Sequence, residues 1–249
     1  MDLDVSTLAE RPELAPVMWG LDTTWPEFVV QDPVGDSHFG RVPKHFPEFV
    51  LVGTNARSGA VVARAFSVPF ALDMDGRGSL PGRGWDQVLM WAFRDQRGGV
   101  RPDTVSALEI AIAAGAQGRG LSGRMLAAMR DNAARLGFRE VVAPVRPSAK
   151  HREPRTPMTE YAYRTREDGL PHDPWLRVHA RAGATIDSVA PVSMTVSGTL
   201  AQWREWTGLP FDKQGEVEVK GALTTVHCEP EHGYAVYVEP NVWMRHAIG

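Results

Sequence analysis

One glycine-rich stretch of the sequence has the residue types and the position of an anion-binding loop. It reads Gln117-Gly118-Arg119-Gly120-Leu121-Ser122-Gly123 and lies between a predicted strand and a predicted helix. Backbone N–H groups at the start of a helix attract negative charge, and glycine lets the chain come close to a phosphate. The stretch therefore predicts a phosphate-binding loop, although a tight strand-to-helix turn would account for the same glycines.

Two phosphate-binding patterns fit this loop. Gly118-x-Gly120-x-x-Gly123 satisfies the dinucleotide pattern, whereas Gln117-x-x-Gly120-x-Ser122 resembles the acyl-coenzyme A (CoA) loop of the GNAT acetyltransferase superfamily. A dinucleotide site also needs an acidic residue at the end of the next strand, but that strand ends at Val145-Arg146 and the nearest acid, Glu140, precedes it. The order of predicted elements over residues 48–245 is likewise similar to the GNAT family.

The GNAT resemblance implies which residues hold the co-substrate, acetyl-CoA or another acyl-CoA. The backbone of Ile110, Ala111 and Ile112 would bind the pantetheine arm, where the fourth and fifth strands separate. The pyrophosphate would lie against the loop residues Gln117, Gly118, Arg119, Gly120, Leu121, Ser122 and Gly123. The resemblance also implies an α/β fold with a central mixed sheet of about seven strands flanked by helices.

Glu109 is a candidate catalytic residue, because it interrupts an otherwise apolar predicted strand. A carboxylate in a central strand is costly to bury without a partner. Strand alternation predicts that Ala107, Glu109 and Ala111 share one face, with space above the carboxylate. In the resembling family a glutamate on this strand often acts as general base. A salt bridge to a nearby arginine is the alternative interpretation.

His179 is the second candidate. The segment from Trp175 to Ala184 resembles the family segment in which a tyrosine, four residues before a glycine, protonates the departing CoA thiolate. His179 stands at the tyrosine position, with Gly183 at the glycine position. An imidazolium could act as the acid and a neutral imidazole as a base, so the direction of proton transfer stays open.

Other polar residues give weaker signals. Tyr161 and Tyr163 lie in a long segment that would overhang the acceptor site, as substrate contacts or as solvated loop residues. The eight histidines are scattered without metal-ligand spacing, so no metal is expected. Cys228 is the single cysteine and is predicted to be a packing residue.

Local patterns predict the elements that position these residues. The segments Phe49–Val52 and Ala60–Phe66 form a predicted hairpin, and the central unit is strand, loop, helix, strand. Helices are predicted for Trp85–Phe93, Gly120–Leu136 and, after an Asp-Pro start, Asp173–Ala182. Strands are predicted for Ser106–Ala113, Glu140–Val145 and Thr185–Val196. A capping box is predicted at Thr199. Residues 1–47 are predicted to wrap residues 48–249 as an extension of one domain.

Composition excludes several classes of protein. The chain has 249 residues, of which 43% are hydrophobic and 23% are charged, enough for a full core. A net charge of −3 and the lack of a basic stripe argue against nucleic acid as a partner. No stretch approaches about 18 uninterrupted apolar residues, which argues against a membrane span, and the N-terminus lacks signal-peptide regions. A cytoplasmic protein is expected, with a homodimer left open.

The sequence thus predicts an enzyme that transfers an acyl group from acyl-CoA to a small-molecule amine, with Glu109 as base and His179 as proton donor. Two alternatives stay open. One is a GNAT-like protein that binds acyl-CoA without turnover. The other acts on acyl thioesters as an S-acyltransferase or decarboxylase, because GNAT-like domains of polyketide loading modules also carry a histidine in a similar segment.

Overall fold

The computed structural model describes residues 2–23 and 25–248, and these form one mixed sheet with helices on its faces. The nine strands are β1 (Leu3–Thr7), β2 (Val50–Asn55), β3 (Val61–Phe70), β4 (Thr104–Ile112), β5 (Glu140–Val145), β6 (Thr185–Thr199), β7 (Gly215–Val217), β8 (Val226–Glu229) and β9 (Tyr234–Ala247). The α-helices are α1 (Ala15–Met18), α2 (Pro33–His38), α3 (Val42–His45), α4 (Gly84–Gly98), α5 (Leu121–Arg135), α6 (Met158–Tyr161), α7 (Pro174–Arg181) and α8 (Leu200–Thr207). No helix in these two ranges is long and apolar enough to cross a membrane.

The sheet has the strand order β1-β2-β3-β4-β5-β9-β8-β7, and β6 pairs with β9 as well. The pairing of β4 with β5 is parallel, and the other pairs are antiparallel. The predicted mixed sheet is confirmed, but the described residues form nine strands rather than about seven. The additional strands include β1, which comes from the segment predicted to wrap the domain.

Local sequence signals account for the elements around the site. The predicted hairpin is present as β2 and β3, and β5 spans the predicted residues. Asp173 caps α7 by accepting hydrogen bonds from the N–H groups of Trp175 and Leu176, with Pro174 at the first helical position. The capping box at Thr199 is formed with Gln202.

Two large hydrophobic clusters and a small one hold the described parts of the sheet and helices together. The largest one packs α4 and α5 against the central strands and contains Val88, Met125 and Val142, all of which are fully buried. The second large one lies under α8 and contains Trp203 together with Phe28 from the N-terminal segment. Phe28 thereby fixes the segment that precedes α2 to the main body of the protein.

Strand β4 departs from regular geometry at the position of the candidate glutamate. Its pairing with β3 shifts register, so that Phe66 opposes Glu109 whereas Ser67 opposes Ala107. Residues that oppose each other across a ladder point to the same face, and the bulge therefore places Ala107 on the opposite face from Glu109. The expected grouping of Ala107 with Glu109 on one face is wrong, because the alternation argument assumed a regular strand.

Candidate active site

A cavity of about 1070 Å³ lies where β4 and β5 separate. The two strands pair only through Val105 with Val141 and Ser106 with Val142 among the described residues, so the later part of β4 has a free edge toward the cavity. Ile110, Ala111 and Ile112 lie on this edge and line the cavity. Their free backbone groups could pair with an extended amide chain as a further strand would.

The glycine loop closes one part of this cavity. Gly118 and Gly120 have φ angles of 72° and 71°, in the left-handed region that favours glycine. Helix α5 begins directly afterwards at Leu121, and no side chain from the described residues caps it. Its first N–H groups are therefore available to an anion. Gln117, Gly118, Gly120, Leu121 and Ser122 line the cavity, whereas Arg119 and Gly123 lie outside its lining.

Glu109 lies in the cavity wall with its carboxylate held by two partners. The side chain of Arg64 on β3 donates from Nε to Oε2 at 2.8 Å and from Nη2 to Oε1 at 3.2 Å. The indole Nε1 of Trp25 donates to Oε1 at 2.9 Å. Glu109 is 9% exposed. Since each carboxylate oxygen has two acceptor positions, Oε2 keeps one free for a further donor.

His179 also lines the cavity, but only one of the two protonation states considered from the sequence is available to its imidazole at neutral pH. It is 2% exposed, and its Nδ1 lies 2.9 Å from Nε2 of His246 on β9. Burial, together with the neighbouring His246, lowers the pKa of His179 to about 3. The imidazole is therefore neutral at physiological pH, and an imidazolium proton donor is not available there.

The two candidate tyrosines lie outside the cavity lining. Tyr161 is 1% exposed, and its hydroxyl donates to Asp173 at 3.0 Å, so it supports the start of α7. Burial and the Asp173 carboxylate raise the pKa of Tyr161 above its usual value. Tyr163 is 53% exposed on the surface. The expectation that they contact substrate is corrected, because Tyr161 is buried against the start of α7 and Tyr163 faces solvent, whereas Ser148 and His151 of the same segment line the cavity.

Several residues of the cavity wall were missed by the sequence reasoning. Arg146 forms an ion pair with Glu239, in which Nε donates to both carboxylate oxygens at 3.1 and 2.9 Å. Trp25 and Asp32 of the cavity wall come from the N-terminal segment. Asp32 caps α2 through a hydrogen bond from the Gly35 N–H. The Asp32-Pro33 pair at the start of α2 matches the Asp173-Pro174 pair recognised in the sequence, so this local signal could have predicted α2. No local signal indicated that Asp32 lies in the cavity wall.

This geometry, a mixed sheet opened beside a helix N-terminus, defines the GNAT fold of acyl-CoA-dependent acyltransferases. The solved structures that share it include the loading GNATL domain of CurA from Lyngbya majuscula, with a TM-score of 0.61, 18% identity, and coverage of 100% of this chain and 98% of that domain. They also include the GphF GNAT-like decarboxylase in complex with isobutyryl-CoA, with a TM-score of 0.54, 15% identity and full coverage of both chains.

A curated relative resembles the chain over nearly its full length. It is the arginine N-acetyltransferase avaD of Aspergillus versicolor, 28% identical over 274 aligned positions that cover 98% of this chain and 93% of the relative. No family model matches the sequence. The chain thus has the GNAT fold and is similar over nearly its full length to an N-acetyltransferase.

Proposed function

We propose that this protein transfers an acetyl group from acetyl-CoA to the amine of a small molecule. The observation that carries the proposal is a single cavity that joins the loop before α5, the free edge of β4 and the Glu109 carboxylate. The loop suits the CoA phosphates, the edge suits the pantetheine amides, and the carboxylate can accept a hydrogen bond from an amine in the same cavity. The full-length similarity to an arginine N-acetyltransferase supports a cationic amine as acceptor.

The transfer requires one bond to form and one to break. The neutral amine nitrogen attacks the thioester carbonyl carbon, a C–N bond forms, and the C–S bond breaks to release CoA as thiolate. The amine loses one proton overall, and the thiolate or solvent takes it up. Holding the amine and the thioester together in a cavity removes much of the entropic barrier to this step.

Glu109 is the group proposed to receive the amine. The free acceptor position on Oε2 can take a hydrogen bond from an ammonium or amine N–H, and the proton leaves through this contact. Arg64 and Trp25 fix the carboxylate in one orientation, so we assign them a positioning role. His179, which is neutral, can only donate or accept a hydrogen bond at the ring nitrogen that does not face His246.

The test is an assay of CoA release together with mass analysis of the product, using acetyl-CoA and a panel of amines. Glu109→Gln should lower kcat by about 100-fold or more, in the range of a lost general base, and leave acetyl-CoA affinity nearly unchanged. Glu140→Gln is the matched control, because Glu140 is also paired with an arginine, Arg245, and does not line the cavity.

Two results would overturn the proposal. Binding of acetyl-CoA without turnover on any amine would indicate a protein that binds acyl-CoA without catalysis. Release of carbon dioxide from malonyl-CoA in the absence of amine would indicate thioester decarboxylation, the reaction named for one of the structures that shares this fold.

A further inference from the structure

One arginine of the cavity wall has hydrogen-bond donors that its own partners do not use. Arg146 directly follows β5, lines the cavity, and has a side chain that is 17% exposed. Its Nε donates to Glu239, and its Nη2 donates to the carbonyl of Gly221. Tyr237 is a further neighbour of the guanidinium. Even with one N–H group assigned to Tyr237, two of the five N–H donors of Arg146 have no partner among residues 2–23 and 25–248.

A buried network fixes this guanidinium in place. Glu239 is 1% exposed and accepts hydrogen bonds from Arg146, from the Tyr237 hydroxyl at 2.8 Å and from Asn241 Nδ2 at 3.2 Å. Because these donors hold both oxygens of the Glu239 carboxylate, it cannot turn away from Arg146. Burial opposes the charge of Arg146, but Glu239 outweighs burial and raises the pKa of the guanidinium. Arg146 is therefore a charged donor that is already oriented before a ligand binds.

Strand register places Arg146 and Glu109 on the same face of the sheet. Ser106 on β4 pairs with Val142 on β5, and paired residues point to the same face. Residues two apart along a strand share a face, so Arg146, four positions after Val142, continues the face of Val142. The bulge in β4 places Ala107 on the opposite face from Glu109, and Ser106 therefore shares the face of Glu109. Both Arg146 and Glu109 line the cavity.

The two residues lie on facing edges of the cleft between β4 and β5. Adjacent strands lie about 4.8 Å apart where they pair, and these two strands separate beyond Ser106 and Val142. Glu109 comes three residues after Ser106, and Arg146 comes four residues after Val142, so they lie at similar levels of the cleft. An amino acid that bonds one group through its amine and the other through its carboxylate spans about 8 Å, two hydrogen bonds included. A small molecule can therefore bridge the two edges.

We infer that Arg146 binds a carboxylate of the acceptor while the acceptor amine lies at Glu109. The acceptor is then an amino acid, or a similar small molecule that carries both an amine and a carboxylate. This inference rests on the proposed acyl transfer and adds the substrate class. A guanidinium donates two N–H groups to a carboxylate in one plane, which would use the donors of Arg146 that have no partner. The exposed Lys220, which precedes Gly221 and also lines the cavity, adds positive charge near Arg146.

The test compares acceptors that differ in the carboxylate: arginine with agmatine, lysine with cadaverine, and phenylalanine with phenethylamine. For the wild-type protein, kcat/KM should favour the carboxylated member of at least one pair by about 30-fold or more, in the range of hydrogen bonds to a charged group. Arg146→Lys keeps a positive charge beside Glu239 but loses the planar donors, and it should remove most of this preference. The double variant Arg146→Met, Glu239→Gln leaves no buried charge unpaired and should remove the preference as well.

Arg77→Lys is the matched control. Arg77 also pairs with a buried carboxylate, that of Asp95 at 2.6 Å, but it lies outside the cavity lining. Its replacement should leave the preference intact. The same variants are assayed with succinyl-CoA in place of acetyl-CoA. If Arg146→Lys impaired the use of succinyl-CoA alone and kept the acceptor preference, the carboxylate would belong to the acyl donor and the inference would be overturned.

Calorimetric titration of the same three pairs into the complex with CoA separates this inference from the proposed reaction. Tighter binding of a carboxylated member that is lost in Arg146→Lys supports the subsite even if no turnover is seen. Turnover with equal kcat/KM for both members of every pair would overturn the subsite and leave the acyl transfer standing. The absence of a binding preference in all three pairs, or a preference that Arg146→Lys retains, would also overturn it.

Discussion

Replacing Asp86, a buried residue in the first turn of α4, by asparagine should stabilise the folded protein at neutral pH. Burial raises the pKa of Asp86 from 3.8 to about 8, so the folded protein keeps a proton that the unfolded chain has lost over this range of pH. Because the folded state binds more protons, the free energy of unfolding falls as the pH rises from about 4 to about 8. An asparagine side chain does not titrate, so the variant does not lose this part of its free energy of unfolding as the pH rises.

The expected size of the effect follows from the pKa shift. Each pH unit in this range changes the free energy of unfolding by about 1.4 kcal/mol for one such group, so the wild-type protein should lose about 3 kcal/mol relative to the variant between about pH 5 and about pH 7. The absolute gain at neutral pH is smaller, about 1–2 kcal/mol, because the buried amide needs hydrogen-bond partners of its own. The difference in pH dependence is the sharper quantity.

Urea denaturation followed by tryptophan fluorescence, repeated from about pH 5 to about pH 8, measures this difference. The free energy of unfolding of Asp86→Asn should separate from that of the wild-type protein as the pH rises. Parallel pH dependence for the wild-type protein and Asp86→Asn would refute the reasoning, since it would show that Asp86 does not hold a proton when buried.

Two further predictions concern residues near the cavity. Tyr161→Phe should lower the free energy of unfolding by about 1–2 kcal/mol, because the hydrogen bond to Asp173 is lost, and should leave kcat and KM unchanged. A large rise in KM would instead indicate that Tyr161 contacts the acceptor. The imidazole of His179 should stay neutral from about pH 8 down to about pH 5, because burial lowers its pKa to about 3, and histidine NMR shifts measure this. A titration of His179 near pH 6.5 would contradict the buried pairing with His246.

Much of the central unit could be predicted from local sequence. The strand, glycine loop, helix and strand from Thr104 to Val145 follow from hydrophobic patterning and glycine placement, and the caps at Asp173 and Thr199 from residue type alone. These features are encoded within a few residues of one another. In the structure, the glycine loop and Glu109 line the same cavity, and the acyl-CoA role of the loop stays a prediction.

The acceptor side of the cavity could not be predicted in the same way. Trp25 donates a hydrogen bond to Glu109 although 84 positions separate the two residues, and Arg64 on the neighbouring strand donates to the same carboxylate. The bulge in β4 and the pairing of Arg146 with Glu239 likewise depend on how distant segments pack. Local patterns indicate that a carboxylate is buried, whereas its partners are set by tertiary contacts.

The sheet order has a consequence for how the protein acquires its structure during synthesis. Strand β9 pairs with β5, β6 and β8, all of which precede it in the chain. Until residues 234–247 leave the ribosome, β5 has an open edge and β6 and β8 have no connection to it, and such edges promote aggregation. The cavity also becomes complete only after these residues are added, because Glu239 and Asn241 of β9 line it.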